Sequence, residues 1–329
     1  MERMILADPD GIEIKTLLYP KIDIEIGKAD NSFELVFSRY DWQSIEEKSR
    51  VYIPGTEFGG LTRRMGTSTQ FDTVSVGGYT WRGLMTRKVI EPEQGADYAT
   101  DTGDLNAIIK RRVEAALPGL FRGVSDPVGV SVTWQYDRYC TLHDGLQKLL
   151  KSVGYKLDIQ YIHEQSAGGY VQVQAVPIVD YSNEIELSTD SRLNYTVRTQ
   201  SDGVNHLILL GKGELRDRLV RHLYVNAQGQ IVDTQTYTGT DEITAVYDSP
   251  GAEEPDLIQG GRERLQELMN RDAFSMDIAT LNLDVAVGDI VGGRDYLTGM
   301  YMAKPIGGKI YRFENGTESI EYILEDENQ

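Results

Sequence analysis

Two short runs near the N-terminus restrict this chain more than anything else in it. In KIDIEIG, Ile22, Ile24 and Ile26 alternate with Asp23 and Glu25, and in SFELVFS, Phe33, Leu35 and Phe37 keep the same period of two. A strand sends successive side chains to opposite faces, so the alternation places one apolar row on a core. The stretch from Gly27 to Asn31 reads as the turn of a hairpin between them. Upstream, Ile12 and Ile14 alternate with Glu13 and Lys15 and are expected to turn one apolar edge to a core in the same way.

Residues 12–92 as a whole read as β. In TVSVGGYTWRGLMTRKVIEP, Gly77-Gly78 sits between two β-rich runs and Pro92 closes the segment. Thr56 to Thr69 is rich in Gly and Thr without periodicity, and is expected to be a long loop. An acidic, turn-rich linker over 93–103 then leads to a shift of pattern. Leu105, Ile109, Val113 and Ala116 share a helical face, with Asp104 placed as N-cap and Pro118 as the stop. Val128 to Trp134 reads as a strand. Thr141 and Asp144 have capping-box spacing, with Asp replacing the usual Glu. Behind them Leu142, Leu146, Leu149, Leu150 and Val153 form a stripe, and Gly154 is expected to cap its end. Strands at 155–162 and 170–176 complete a small α+β centre.

The remainder returns to β. Strands are expected at Asn194–Thr199, His206–Leu210, Leu219–Val225 and Ile231–Tyr237, the last two flanking the turn Ala227-Gln228-Gly229. A polar stretch, Tyr247 to Asp256, introduces a helix near 257–270 with Leu257, Gly261, Leu265, Leu268 and Met269 on one face. Further strands are expected at Met276–Leu283, Asp289–Val291, Tyr296–Met302, Lys309–Phe313 and Ser319–Leu324. Glu314-Asn315-Gly316 joins the final pair, because Asn and Gly tolerate positive φ. The expected fold is therefore mainly β with an α+β centre.

Composition narrows the function. The 33 Lys and Arg against 51 Asp and Glu give a formal charge of −18. Phosphates are neutralised by cations, so such a chain is a poor non-specific nucleic-acid binder. An acidic wall does, however, suit a pore through which DNA slides without sticking. No stretch has the roughly 20 apolar residues of a membrane helix, and the N-terminus lacks the apolar core of a signal peptide. Assembly in the cytoplasm is expected. A lone Cys140 excludes an internal disulfide.

No constellation rises to a catalytic, cofactor or metal site. GDIVGGRDY, within Val287–Gly299, lacks the Lys-Ser/Thr of a phosphate loop and stands between strands, not before a helix. It reads as a Gly288-Asp289 turn into a strand, with Gly292-Gly293 as a bulge or tight connection. LLGKGELRDR, Leu209 to Arg218, reads as a turn leaving a strand. His143, His163, His206 and His222 are scattered without zinc spacing. Cys140 and His143 are close in sequence but lack a third partner. Among so many acids, carboxylate pairs arise by chance, and nothing selects one for glycoside chemistry. The 19 Tyr suit sheet faces and packed interfaces better than a sugar site.

Three segments carry a family resemblance. LDVAVGDIVGGRDYLTGMYMAKPIGGKIYRFENGTESIEYILE resembles the closing β-segment of bacteriophage tail-hub proteins, notably the siphovirus Gp37-like family. More distantly it is similar to late-control and baseplate-hub proteins of contractile tails. NHLILLGKGELRDRLVRHLYVNAQGQIV looks like the family's second β-domain, and KIDIEIGKADNSFELVFSR like its first.

The resemblance implies two tail-tube-like β-barrel domains, residues 1–95 and 177–329, flanking a small α/β domain at 96–176. It further implies a homotrimer whose six barrels meet a six-fold tail tube in the virion tail, with genome DNA passing through without specific binding. The implied partners are the tail tube or distal tail protein and tip, spike or other baseplate proteins. No cofactor and no membrane insertion are implied. The chain stops at EDENQ soon after the hairpin, so an attached hydrolase or receptor-binding domain is not expected. The contrasting expectations are a carbohydrate-active or peptidoglycan-cleaving β-domain enzyme and, more weakly, a host-receptor binding module. Purified protein should release no sugar or peptide fragments from bacterial cell walls; turnover abolished by one Asp or Glu substitution would establish the enzyme instead.

Overall fold

The computed structural model describes residues 4–18, 20–27, 30–163, 168–182, 186–187, 194–198, 202–269, 273–277, 285–294, 299, 301–314 and 316–325. Parts of the expected turn at 27–31 and of the expected strands at 194–199, 276–283 and 296–302 lie outside them, as does Asn315.

The N-terminal part holds β1 (Ile5–Ala7), β2 (Glu13–Thr16), β3 (Lys21–Gly27), β4 (Ser32–Ser38) and β5 (Arg50–Tyr52). β6 (Gly59–Ser68) and β7 (Thr73–Thr80) follow and lead into a short helix, α1 (Trp81–Thr86). The centre contains β8 (Thr100–Asp104), α2 (Leu105–Ala116), β9 (Phe121–Gly123), β10 (Ser131–Gln135), α3 (Leu142–Lys151), β11 (Tyr155–Ile162) and β12 (Tyr170–Pro177). Next come β13 (Glu186–Leu187), β14 (Asn194–Arg198), β15 (His206–Leu210), β16 (Val220–Val225), β17 (Ile231–Val232) and β18 (Thr244–Asp248). After α4 (Glu254–Leu268), the last strands are β19 (Ala273–Asp277), β20 (Ile290–Arg294), β21 (Tyr301–Glu314) and β22 (Thr317–Leu324). The chain divides into two compact units, Met1–Asn194 with Met276–Asp326, and Tyr195–Ser275.

In the larger unit one sheet runs β13-β20-β21-β3-β4-β7-β6-β5-β1-β2, and β22 also pairs with β21. The alternating runs behave as their period requires. Ile24 lies opposite Phe33 and Ile22 opposite Leu35, and all four are buried on one face. Their core closes because the sheet curls. Val51, Ile53 and Phe58, from far along the strand order, join Ile24 and Tyr311 in one cluster, with the Phe58 and Tyr311 rings 5.1 Å apart. Register shifts at Leu6/Ala7, Thr62/Arg64 and Ile306/Gly308 add local twist.

Among the described residues the curl does not close. The path starts at β13 and ends at β2, so the two closed barrels expected from the resemblance are corrected to open sheets. The reason lies in pairing. Strands from the two ends of the chain do not each close on themselves; β21 takes β3 as a neighbour, with Tyr311 opposite Ile24 and Arg312 opposite Asp23.

Other local expectations also change. Thr56–Thr69 is no loop, since β6 occupies Gly59–Ser68 and pairs along β7. Its glycines have a steric purpose: a Cβ on Gly60 would sit 2.2 Å from the Tyr79 carbonyl and 2.8 Å from the Phe33 ring. Gly77-Gly78 lies inside β7, and the following WRGLMT is helical, capped by the Thr80 hydroxyl accepting from the Gly83 N–H. Trp81 is fully buried there, which is why an apolar aromatic run reading as β ends as a helix. The 93–103 linker ends in β8, and only Ile231–Val232 of the expected 231–237 strand forms. Thr244–Asp248 is a strand overlapping the start of the expected polar stretch.

The α+β centre follows its sequence signals closely. Asp104 caps α2 by accepting from the Asn106 N–H at 2.9 Å, and Leu105, Ile108, Ile109 and Val113 are buried. Thr141 caps α3 by accepting from the Asp144 N–H at 3.1 Å. Leu142, Leu146, Leu149 and Leu150 pack in the cluster that also holds Leu157, Val171 and Val173 from the β11-β12-β9 sheet. Gly154 adopts φ +76° three residues past the helix end. In the smaller unit the sheet order is β17-β16-β15-β18, with Leu207, Leu209 and Leu223 packed against Leu257 and Leu265 of α4. Gly261 permits that packing, since a Cβ there would meet the Leu209 side chain at 2.6 Å.

Leu146 and Leu149 are 0% and 1% exposed. Replacing either with Ala should lower unfolding free energy by about 2–5 kcal/mol, measured by denaturant titration. Unchanged stability in both variants would contradict the packing of α3.

Candidate interaction surface

The motifs that could have carried chemistry resolve into structure. Asp289 of the glycine-rich stretch is 2% exposed, and its carboxylate accepts from the Val179 N–H at 2.9 Å and the Ala286 N–H at 2.8 Å. Lys156, reaching from β11, pairs with it at 2.5 Å. The stretch thus fastens a C-terminal turn to the α+β centre. Gly288 takes φ +97° in that turn. Gly292-Gly293, expected as a bulge, instead sits mid-strand in regular register with Ala303 and Met302. Residues 295–298 of the stretch lie outside the described ones.

The Cys140 thiol is pushed up by burial and by the carboxylates of Asp137 and Asp144, the opposite of an activated nucleophile. His143 is buried, with Nδ1 3.3 Å from Asp144 and Nε2 unpartnered. His163 faces Glu13 at 3.3 Å. In Leu209–Arg218 the chain leaves β15 through Gly213 at φ +103°, with Lys212 paired to Glu253 at 2.5 Å. Among the described residues, no group of three or more His, Cys, Asp or Glu could hold a metal ion. One association escaped the sequence reading: His206 and His222, sixteen residues apart, meet side by side on neighbouring strands.

What the larger unit does present is a charged face and a free edge. Period two sends Asp23, Glu25 and Glu34 to the side of the sheet away from the isoleucine core. Asp23 and Glu34 lie directly opposite each other on β3 and β4. Like charges in that position destabilise a sheet. Arg312 offsets part of the repulsion by pairing with Asp23 at 3.2 Å and with Glu321 at 2.5 Å. Asp23, Glu25 and Glu34 also line a shallow open groove of 480 Å³, together with Arg64 and Met65 of β6.

The free edge is β2. It pairs with β1 on one side, and among the described residues nothing pairs with the other. Ile12 and Ile14, expected on a core, are 61% and 56% exposed. Their alternation was real, but among the described residues no layer covers them. Polar groups hold the strand in place from within: Tyr52 donates to Glu13 at 2.6 Å, and Lys15 donates to the Gln43 carbonyl at 3.1 Å. The Gln43 side chain donates to the Leu18 carbonyl at 2.7 Å, fixing the exit from the strand.

No protein-family model matches the chain, and no curated protein matches it. Among solved structures, the 43 kDa tail protein of prophage MuSo2 from Shewanella oneidensis superposes with a TM-score of 0.53, over 99% of this chain and 98% of that one, at 12% identity. A structure of the phage P2 baseplate in its activated conformation with Ca contains a chain that superposes with a TM-score of 0.50, over 99% of both chains, at 10% identity. At such identities the likeness is one of fold. The structural neighbours are phage tail and baseplate proteins, in agreement with the resemblance at that coarser level. Of the described residues, no helix is long and apolar enough to cross a membrane.

The opposed carboxylates make a measurable prediction. Glu34→Gln should raise unfolding free energy by up to about 1 kcal/mol at low ionic strength. The gain should fade as salt screens the pair. A loss of stability at low salt would mean that Glu34 is held by an attraction and not opposed by Asp23.

Proposed function

We propose that this protein is a structural tail-hub component of a phage or phage-like particle. Three copies form a ring that joins the tail tube to the tip or baseplate and lines the channel through which DNA passes. The observation that carries the reading is the free apolar edge at β2, on a fold shared along its whole length with a prophage tail protein. A sheet that ends on exposed isoleucines is built to be continued by another chain, and a head-to-tail contact that closes by rotation makes a ring. In this reading residues 1–95 and 177–329 supply the β-layers of the ring, and 96–176 is its α/β part.

The acidic face gives such a ring its chemistry. Asp23, Glu25 and Glu34 turned to the channel would repel passing phosphates, where Lys or Arg would hold each one. The tail tube or distal tail protein on one side, and tip, spike or other baseplate proteins on the other, are the partners of this arrangement. It needs no enzyme, cofactor or bound metal. Its place is the virion tail, after assembly in the host cell.

The test is a reconstruction of the assembled tail, with Ile14→Glu as the companion variant. The expected result is three copies around the symmetry axis, β2 at their contacts and an acidic wall. Ile14→Glu should abolish ring formation while leaving the isolated chain folded. A position off the axis, or a wall lined mainly by Lys and Arg, overturns the proposal; a folded monomer that cleaves cell wall favours an enzyme.

A further inference from the structure

The smaller unit carries a pair of histidines that the tail-hub reading does not use. In β15 and β16, His206 lies opposite Tyr224, and His222 lies opposite Ile208. The two histidines are therefore diagonal neighbours on the sheet face opposite Leu207, Leu209 and Leu223, which pack on α4. Nε2 of His206 is 2.8 Å from Nδ1 of His222.

The surroundings settle which nitrogen carries the proton. Glu242 Oε1 lies 2.6 Å from Nδ1 of His206 and accepts its N–H. Gln235 donates to the same Glu242 oxygen at 3.0 Å and holds the carboxylate in place. In the neutral form of His206, Nε2 is then a lone pair, and the N–H between the rings belongs to His222 Nδ1. The Tyr224 ring stacks on His206 with centroids 4.5 Å apart and fixes its plane. His206 is buried and His222 is exposed.

We propose that His206 and His222 form a two-histidine chelate for a divalent cation of the nickel, copper and zinc class. Two imidazole nitrogens, each 2.0–2.1 Å from a tetrahedral metal, stand about 3.4 Å apart, so the pair must open by about half an ångström and each ring must turn off the present N–N line for its lone pair to meet the metal. The metal replaces the bridging proton. That proton leaves Nδ1 of His222 as Nε2 takes one from solvent, so the pair's own charge is unchanged and both facing nitrogens present lone pairs. Glu242 supplies the carboxylate–histidine contact that orients a metal-bound ring and raises its basicity. Water completes the shell, since among the described residues no third His, Cys, Asp or Glu joins the group.

The experiment uses the untagged full chain, titrated by calorimetry with Ni²⁺, Cu²⁺ and Zn²⁺ separately. One equivalent is expected to bind, and the Cu²⁺ complex should show coupling to two nitrogens by electron paramagnetic resonance. His222→Ala, at an exposed position, should abolish binding with the circular dichroism unchanged, and His163→Ala should leave binding intact. Glu242→Gln should weaken binding by about 10–100-fold. Failure of all three ions to bind the wild-type chain, or equal affinity in His222→Ala, overturns the proposal. If His222→Ala unfolds, His222→Gln takes its place, and retained two-nitrogen coupling in it is equally fatal.

Discussion

The larger unit depends on one strand. β21 is fourteen residues long and pairs with β20 along 301–305, with β3 along 308–313 on one edge and with β22 along 306–314 on the other. The Arg312–Asp23 pair spans 289 positions of sequence. Closing such a loop costs entropy that grows only slowly with length, so it is affordable in stability terms. Its kinetic effect is larger, because non-local pairing slows folding. The isoleucine core lacks Tyr311, and β3 lacks a neighbour, until the C-terminal segment arrives. The smaller unit, Tyr195–Ser275, has its own core around Leu209 and Leu265 and is free of that requirement.

This dependence marks where the sequence was legible. Alternation in β3 and β4 and the caps at Asp104 and Thr141 are local signals, and the structure follows them. Closure is not local. A barrel and an open curled sheet share the same period of two, and what separates them is whether the terminal strands of the path, β13 and β2, pair with each other. β6 was missed because its glycines answer to Tyr79 and Phe33, both distant in sequence, and leave no apolar rhythm. α1 was missed because Trp81 belongs to a tertiary core that overrides the strand propensity of its neighbours.

The candidate surface was half legible. The acidic rows of β3 and β4 follow directly from the alternation, but their opposition across two strands needs the register. Ile12 and Ile14 show the same limit from the other side. Alternation says that two residues share a face; it says nothing of whether another layer covers it. The histidine pair is harder still. Sixteen residues separate His206 from His222, and their contact exists only because β15 and β16 are antiparallel in one particular register.

Natural sheets guard exposed edges with charges, prolines or bulges, because unpaired backbone groups invite other chains. β2 has the charges to do this and directs them elsewhere. Glu13 accepts from Tyr52 and faces His163, and Lys15 reaches the Gln43 carbonyl. Those side chains fasten the strand to its own unit, and the outward positions are left to Ile12 and Ile14. On β3 and β4, Asp23 and Glu34 stand opposite each other at a cost that a neutral residue would remove. An edge left open and a face left charged both reduce the stability of a single chain. In the proposed ring both would become useful, where copies would meet edge to edge around a channel for an anionic polymer, so the two features bear on the same proposal.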